Sequence, residues 1–240
     1  MKRGIALAAA TAAIFAAGAG AKPFKTEFKS SLLDFQYSWS SEANAIPSLV
    51  ARFTADMRKQ RASLTSQAQQ DAAQRKKQGF PFNPYQQITS ITTEGETPRL
   101  LSLRNDTYQF TGGAHGNSGT KGILWDRKLN KEIAFAALFR SAPAALAALR
   151  DPYCKALNAE RKKRRQGEQL GGEFDQCPKF SELTLMPADP KHKGRFNQIL
   201  VVADPYVAGP YVEGSYDINV PVNAGMIARL KPEYRSSFGA

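Results

Sequence analysis

The spacing of apolar positions changes period several times along the chain, and those changes mark out its elements. From Phe28 to Ser40 the residues alternate, with Leu33, Phe35, Tyr37 and Trp39 on one face and Asp34, Gln36 and Ser38 on the other. This predicts a first strand with one buried face. From Pro47 the period lengthens: Leu49, Phe53, Met57, Leu64 and Ala68 recur at helical spacing in a stretch rich in Arg, Lys, Gln and Ala. Pro47 suits a first helical turn, so a long helix is expected over about Pro47 to Lys77, ended by Gly79-Phe80-Pro81. Gln67 to Lys77 is polar nearly all round, so tight packing is expected only of the first half.

Period two returns at Tyr85. Ile88, Ser90 and Thr92 alternate with Thr89, Ile91 and Thr93, a turn at Glu94-Gly95-Glu96-Thr97-Pro98 follows, and Leu101, Leu103, Tyr108 and Phe110 continue the pattern. Three or four antiparallel strands in a meander fit, with the glycine-rich Thr111–Gly119 joining two of them. After a turn at Asp126–Glu132 comes a short apolar stretch, Ile133 to Phe139. A second helix is expected from about Ala142 to Arg165, its face made by Leu146, Leu149, Tyr153 and Leu157. Two more strands are expected near Phe196–Val202 and Tyr216–Val222, joined by a segment in which Pro-Tyr-Val-x-Gly occurs twice. Those consecutive turns should put Tyr206 and Tyr211 on show. The fold class is α+β: an antiparallel sheet with one long and one medium helix packed against it, in two related lobes, 22–131 and 132–240.

Residues 1–21 stand apart. Lys2-Arg3, an uncharged Ala-rich run and Ala19-Gly20-Ala21 have the order of a secretory signal peptide, with a retained membrane anchor as the alternative. An exported, periplasmic or secreted protein is expected. The chain carries a formal charge of +12, which falls to +10 when Lys2 and Arg3 leave with the first segment. That balance favours anionic partners. Arg161-Lys162-Lys163-Arg164-Arg165, expected as a solvated helix end, concentrates it and offers a contact for an anionic polymer. Aromatic residues do not interleave with these cations, so a nucleic-acid partner is not expected.

Cys154 and Cys177 are the only cysteines, and in an exported protein such a pair reads first as a disulfide. A structural zinc site is not expected, since only His115 and His192 are available to join them and the spacing is wrong. Neither a metal nor a cofactor is expected. The glycine-rich segment holds the candidate chemistry: His115 and Asn117 on a tight loop, open either to a ligand or to a purely structural hydrogen bond.

Phe110-Thr111-Gly112-Gly113-Ala114-His115-Gly116-Asn117 before a strand, and Gly209-Pro210-Tyr211-Val212-Glu213-Gly214 entering an alternating strand, together carry a resemblance. The chain resembles the paired domains of unknown function in the ectodomain of RsiV-type anti-sigma factors and in the non-catalytic part of PdaC-type peptidoglycan deacetylases. The resemblance runs from about Thr26 to Val222. It implies an α+β domain outside the cytoplasmic membrane that works by binding, with His115, Asn117, Tyr211 and Glu213 as motif positions. In the anti-sigma factor the role is sensing lysozyme. Two histidines so far apart do not supply the paired-histidine and aspartate metal site of the deacetylases.

The expected function is therefore a non-catalytic binding module of the cell envelope, with cell-wall glycan or an envelope protein as ligand. The alternatives are a hydrolase using His115, with Ser118 or Glu213, and a lysozyme-binding protein. The last requires an exposed acidic patch on a basic chain, for which Glu94, Glu96, Asp204 and Glu213 are the candidates. The two loops are expected to share one edge, with His115 and Glu213 within a few ångströms. A buried His115–Glu213 pair would be structural instead.

Overall fold

The computed structural model describes residues 21–239; the expected signal segment lies outside them, apart from Ala21. The chain opens with β1 (Phe24–Lys29) and β2 (Leu33–Trp39), then a short α1 (Ser41–Asn44) and α2 (Pro47–Lys77). The sequence merges the first two strands into one. They are a hairpin, turned where the Ser30 hydroxyl accepts hydrogen bonds from the amides of Leu32 and Leu33. α2 starts and stops where the helical period does.

β3 (Tyr85–Glu96), β4 (Leu100–Phe110), β5 (Asn117–Asp126) and β6 (Lys131–Ile133) follow as a meander. The six strands form one sheet in chain order. All neighbours are antiparallel except β2 and β3, which run parallel because α2 carries the chain across the sheet between them. Leu33, Phe35, Tyr37 and Trp39 of β2 meet Leu49, Phe53, Leu64 and Ala68 of α2, with Ile91, Leu101, Leu103 and Ile123 completing that core.

The second half supplies α3 (Ala142–Arg164), β7 (Thr184–Ala188), β8 (Gln198–Ala203), β9 (Tyr216–Pro221) and α4 (Ala224–Arg229). β7, β8 and β9 form a three-stranded antiparallel sheet with α3 on one face. β7 crosses the other face of the large sheet, where Gly122 leaves room: a Cβ there would lie 3.3 Å from the carbonyl oxygen of Leu185. Each lobe is thus a helix laid on a sheet, as expected, although the expected boundary at 131/132 falls inside β6. The Cys154–Cys177 disulfide forms as expected, with a Cα–Cα distance of 5.5 Å, and ties the segment after α3 to the helix. No helix among the described residues is long and apolar enough to cross a membrane.

The basic run departs from expectation. Lys162 and Lys163 are exposed, but Arg161 and Arg165 are buried, at 4% and 9% exposure. Arg161 donates to the Ala208 carbonyl, Arg165 to Glu213 and Asp175, and Arg164 lies over the Tyr216 ring while donating to the Glu213 and Ser215 carbonyls. Helical period explains the correction, since Arg161 and Arg165 continue the inward face of Tyr153 and Leu157. The five cations do not form one surface for an anionic polymer.

Candidate functional site

Two loops remote in sequence meet at the far end of the β4–β5 hairpin. Gly112 and Gly113 take φ of +99° and +98°, a conformation open to glycine, and turn the chain so that His115 projects outward. Gly116 lies against the Tyr108 ring, which a Cβ would strike at 2.5 Å. Its carbonyl accepts a hydrogen bond from the Tyr211 hydroxyl at 2.8 Å and lies 2.9 Å from the His115 Nδ1. The imidazole stacks on the Tyr211 ring, centroids 4.1 Å apart at 24°. Tyr206 packs on Tyr211 at 5.6 Å and is held by a left-handed backbone, φ +73°. For a residue with a side chain that conformation costs about 1–2 kcal/mol, so the loop spends stability to keep an exposed ring in place.

Beside this stack lies an open cleft of about 490 Å³ over the sheet face not covered by α2. Tyr108, Tyr211, Val212 and Ile88 give it apolar walls, and Arg104, Asp106, Ser118, Thr120 and Asp204 make it polar. Val212 and Ile88 are exposed at 89% and 40%. Arg104 donates to both Asp106 carboxylate oxygens at 2.8 Å and to Asp217. Burial works to lower its pKa, but hydrogen bonds to Asp217 and Asp106 outweigh it and raise the pKa. Asp106 accepts from the Thr120 hydroxyl, and Asp204 accepts from the Thr120 amide at 3.1 Å, joining the Tyr206–Tyr211 loop to the edge of β5. Burial, countered by Arg104, and then the charges of Asp217 and Asp106 push the Glu94 carboxyl up.

The four motif positions divide. The two loops meet, but through His115 and Tyr211 where His115 and Glu213 were expected. Asn117 is exposed at the start of β5 opposite Gln109, and the cleft lining does not include it. Glu213 is turned inward: its carboxylate accepts from Arg165 Nε at 2.8 Å and Nη2 at 3.0 Å and from the Tyr216 hydroxyl. The hydrogen bond from Arg165 lowers its pKa, against the opposing effect of burial. Among the described residues no hydrogen bond joins His115 to Glu213, so the proposed pair is replaced by His115–Tyr211. A buried imidazole is likewise ruled out, since His115 is exposed. Tyr108, Arg104 and Asp106 were not singled out by sequence. Their even spacing along β4 was the available signal, since it puts them on one face. Among the described residues no group of three or more His, Cys, Asp or Glu side chains is placed to hold a metal ion.

Comparison with known proteins bears first on the first lobe, where residues 26–118 match the family model described as "Deacetylase PdaC". In solved structures, a DUF3298 family protein from Pseudomonas aeruginosa PAO1 superimposes with a TM-score of 0.58 at 14% identity, covering 91% of this chain and 97% of that one. The fold is that of DUF3298 proteins. A second DUF3298 family member, from Bacteroides fragilis NCTC 9343, gives a TM-score of 0.56 at 16% identity, with 90% and 95% covered. No curated protein matches in sequence. The DUF3298-type fold therefore extends over both lobes, while the PdaC match stops at Ser118, inside the glycine-rich edge of the cleft.

Proposed function

We propose that this chain is an exported, non-catalytic binding module of the cell envelope, and that its cleft takes cell-wall glycan. The observation that carries this reading is the stacking of the exposed His115 on the half-buried Tyr211 beside the cleft, in two loops joined across 95 positions by the Tyr211–Gly116 hydrogen bond. Sugar rings pack their C–H faces on aromatic walls and pair their hydroxyls with carboxylates and guanidinium groups. Tyr108 and Tyr211 supply the first, Arg104, Asp106 and Asp204 the second. The Cys154–Cys177 disulfide suits an oxidising compartment. Among the described residues no carboxylate bonds His115, whose Nδ1 faces the Gly116 carbonyl, so the Asp or Glu of a triad that would stabilise a charged imidazole is not placed there.

The test is titration with soluble peptidoglycan fragments. Tyr211→Ala should weaken binding at least about tenfold, about 1.4 kcal/mol, with little change in melting temperature. His115→Ala should weaken it less. Unchanged affinity in Tyr211→Ala, or no binding by the unaltered chain, overturns the reading.

A second reading has its own observation. Asp106 and Asp217 pair with Arg104, and Asp204 lines the same cleft bonded to the Thr120 amide, so three carboxylates stand near one lining cation on a basic chain. A basic protein such as a lysozyme, the ligand of the RsiV-type sensors that the sequence resembles, would meet opposite charge there. Binding of lysozyme that weakens with salt and is lost in Asp204→Lys would favour it.

A further inference from the structure

On the opposite face of the β4–β5 hairpin lies a second open groove, of about 500 Å³, between the middle of α2 and the ends of β3 and β4. Its lining is unusual for a helix–sheet interface. Gln87 and Thr89 occupy inward positions of β3, between the core residues Tyr85 and Ile91, and are 4% and 1% exposed. Gln60 and Gln67 lie on the side of α2 that carries Phe53 and Leu64. Aliphatic residues at these places would close the interface. The amides instead form a relay: Gln109 Nε2 donates to Gln87 Oε1 (3.0 Å), Gln87 Nε2 to the Thr89 hydroxyl (3.2 Å), and that hydroxyl to Gln60 Oε1 (3.4 Å). Gln60 then donates to Asp56 at 2.7 Å, which also accepts from the Tyr37 hydroxyl.

We infer that this groove is a second binding site, for the acetamido groups of an N-acetylated glycan. The inference rests on the glycan reading of the cleft. An acetamido group offers one N–H and one carbonyl, and each carboxamide offers the complement of both. Gln87 is buried and Gln60 half-buried; with the exposed Gln109 they are held in fixed orientation by the relay and so preorganised for that exchange. The lining includes no aromatic ring, which disfavours bases; its one cation is the exposed Lys59, and Asp56 is already engaged by Tyr37 and Gln60. Within the groove the floor is a sheet face, so an extended peptide would find a backbone ladder only beyond it, at the open β5 edge.

Thr107 lines both the groove and the cleft, and its hydroxyl donates to the Gly119 carbonyl directly across the hairpin. At Gly119 β5 is an edge, since β6 pairs only with Leu124, Trp125 and Asp126. A polymer passing round that edge occupies both sites, which selects an oligosaccharide over a single sugar.

The experiment follows the side-chain amide resonances of Gln60, Gln87 and Gln109 by NMR during titration with hexa-N-acetylchitohexaose, its deacetylated form, cellohexaose and a capped neutral tetra-alanine. The acetylated hexamer should move these resonances and bind at least tenfold tighter than cellohexaose. The paired variant Gln87→Leu/Gln109→Leu removes both hydrogen-bonding partners together, which keeps its cost to the fold small. It should lose that tenfold preference while melting near the parent. Gln67→Leu, on the helix side, gives an independent check in the same direction. If Tyr211→Ala abolishes binding but the glutamine variants bind acetylated hexamer as the parent does, the groove inference falls and the cleft reading stands. If the peptide moves the resonances and the hexamer does not, the ligand class is wrong. If no oligosaccharide binds at either place, both readings fall.

Discussion

Glu94 shows how one residue near the cleft is held at a cost. Its carboxyl is partly buried at the end of β3, and although Arg104 draws its pKa down, burial and the neighbouring Asp217 and Asp106 push it up. The folded state therefore keeps a proton that the unfolded chain has already released, and stability falls as pH rises through that window. Above it the penalty is complete. Glu94→Gln should raise the melting temperature at pH 7, and the gain should vanish below about pH 4, where both states are protonated. Melting curves of the two proteins across that range check it. Glu213 has the opposite sign, because Arg165 lowers its pKa, and its ionised form stabilises the loop that holds Tyr211.

At the scale of elements, the segment after α3 is fastened at several points to the helix it leaves. Cys154–Cys177 closes a loop with a sequence separation of 23, and Arg150 donates to the Cys177 and Pro178 carbonyls. Reducing the disulfide should cost roughly 3 kcal/mol, read as a shift in a denaturant unfolding curve. An equal midpoint with and without reductant would contradict it. The elements most legible in the sequence were those with long, regular periods: α2, α3 and the β3–β5 meander. The β1–β2 turn was hidden because serine hydroxyls at Ser30, not glycine or proline, make it. β7 was hidden by Pro187. It is tolerated because only one side of β7 is paired, with β8, so an absent N–H need not break a ladder. The meeting of His115 with Tyr211 was legible as two glycine-rich loops that end strands, but Glu213's partner was not. Its choice of Arg165 over His115 is decided by where α3 ends, a long-range packing fact outside local pattern.

Across the whole molecule, Asp126 joins the end of β5 to the turn at Pro232–Ser237. Fully buried, it accepts from Arg99 Nε and Nη2 at 3.1 and 3.0 Å, from the Tyr234 hydroxyl at 3.2 Å, and from the amides of Lys128 and Leu129. Burial would raise its pKa, but the Arg99 hydrogen bonds lead the terms that lower it, so its stabilisation is present above the ordinary carboxylate range and lost as pH falls through the lowered value. Asp126→Ala removes one partner of a buried pair and should destabilise the protein by about 3–5 kcal/mol. Thermal or denaturant unfolding measures this, and a loss under about 1 kcal/mol would show that the pair is solvated in solution. The C-terminal segment is also sewn in by the Thr97–Ser237 hydroxyl pair and by the bridge of Phe238 to Phe196. Those contacts join residues up to 140 positions apart, so the Tyr234–Phe238 segment fastens the β3–β4 turn and the end of β5 to the second lobe. A fragment lacking Tyr234–Phe238 can form its local β-hairpins, but the contacts of greatest sequence separation wait on the docking of that segment.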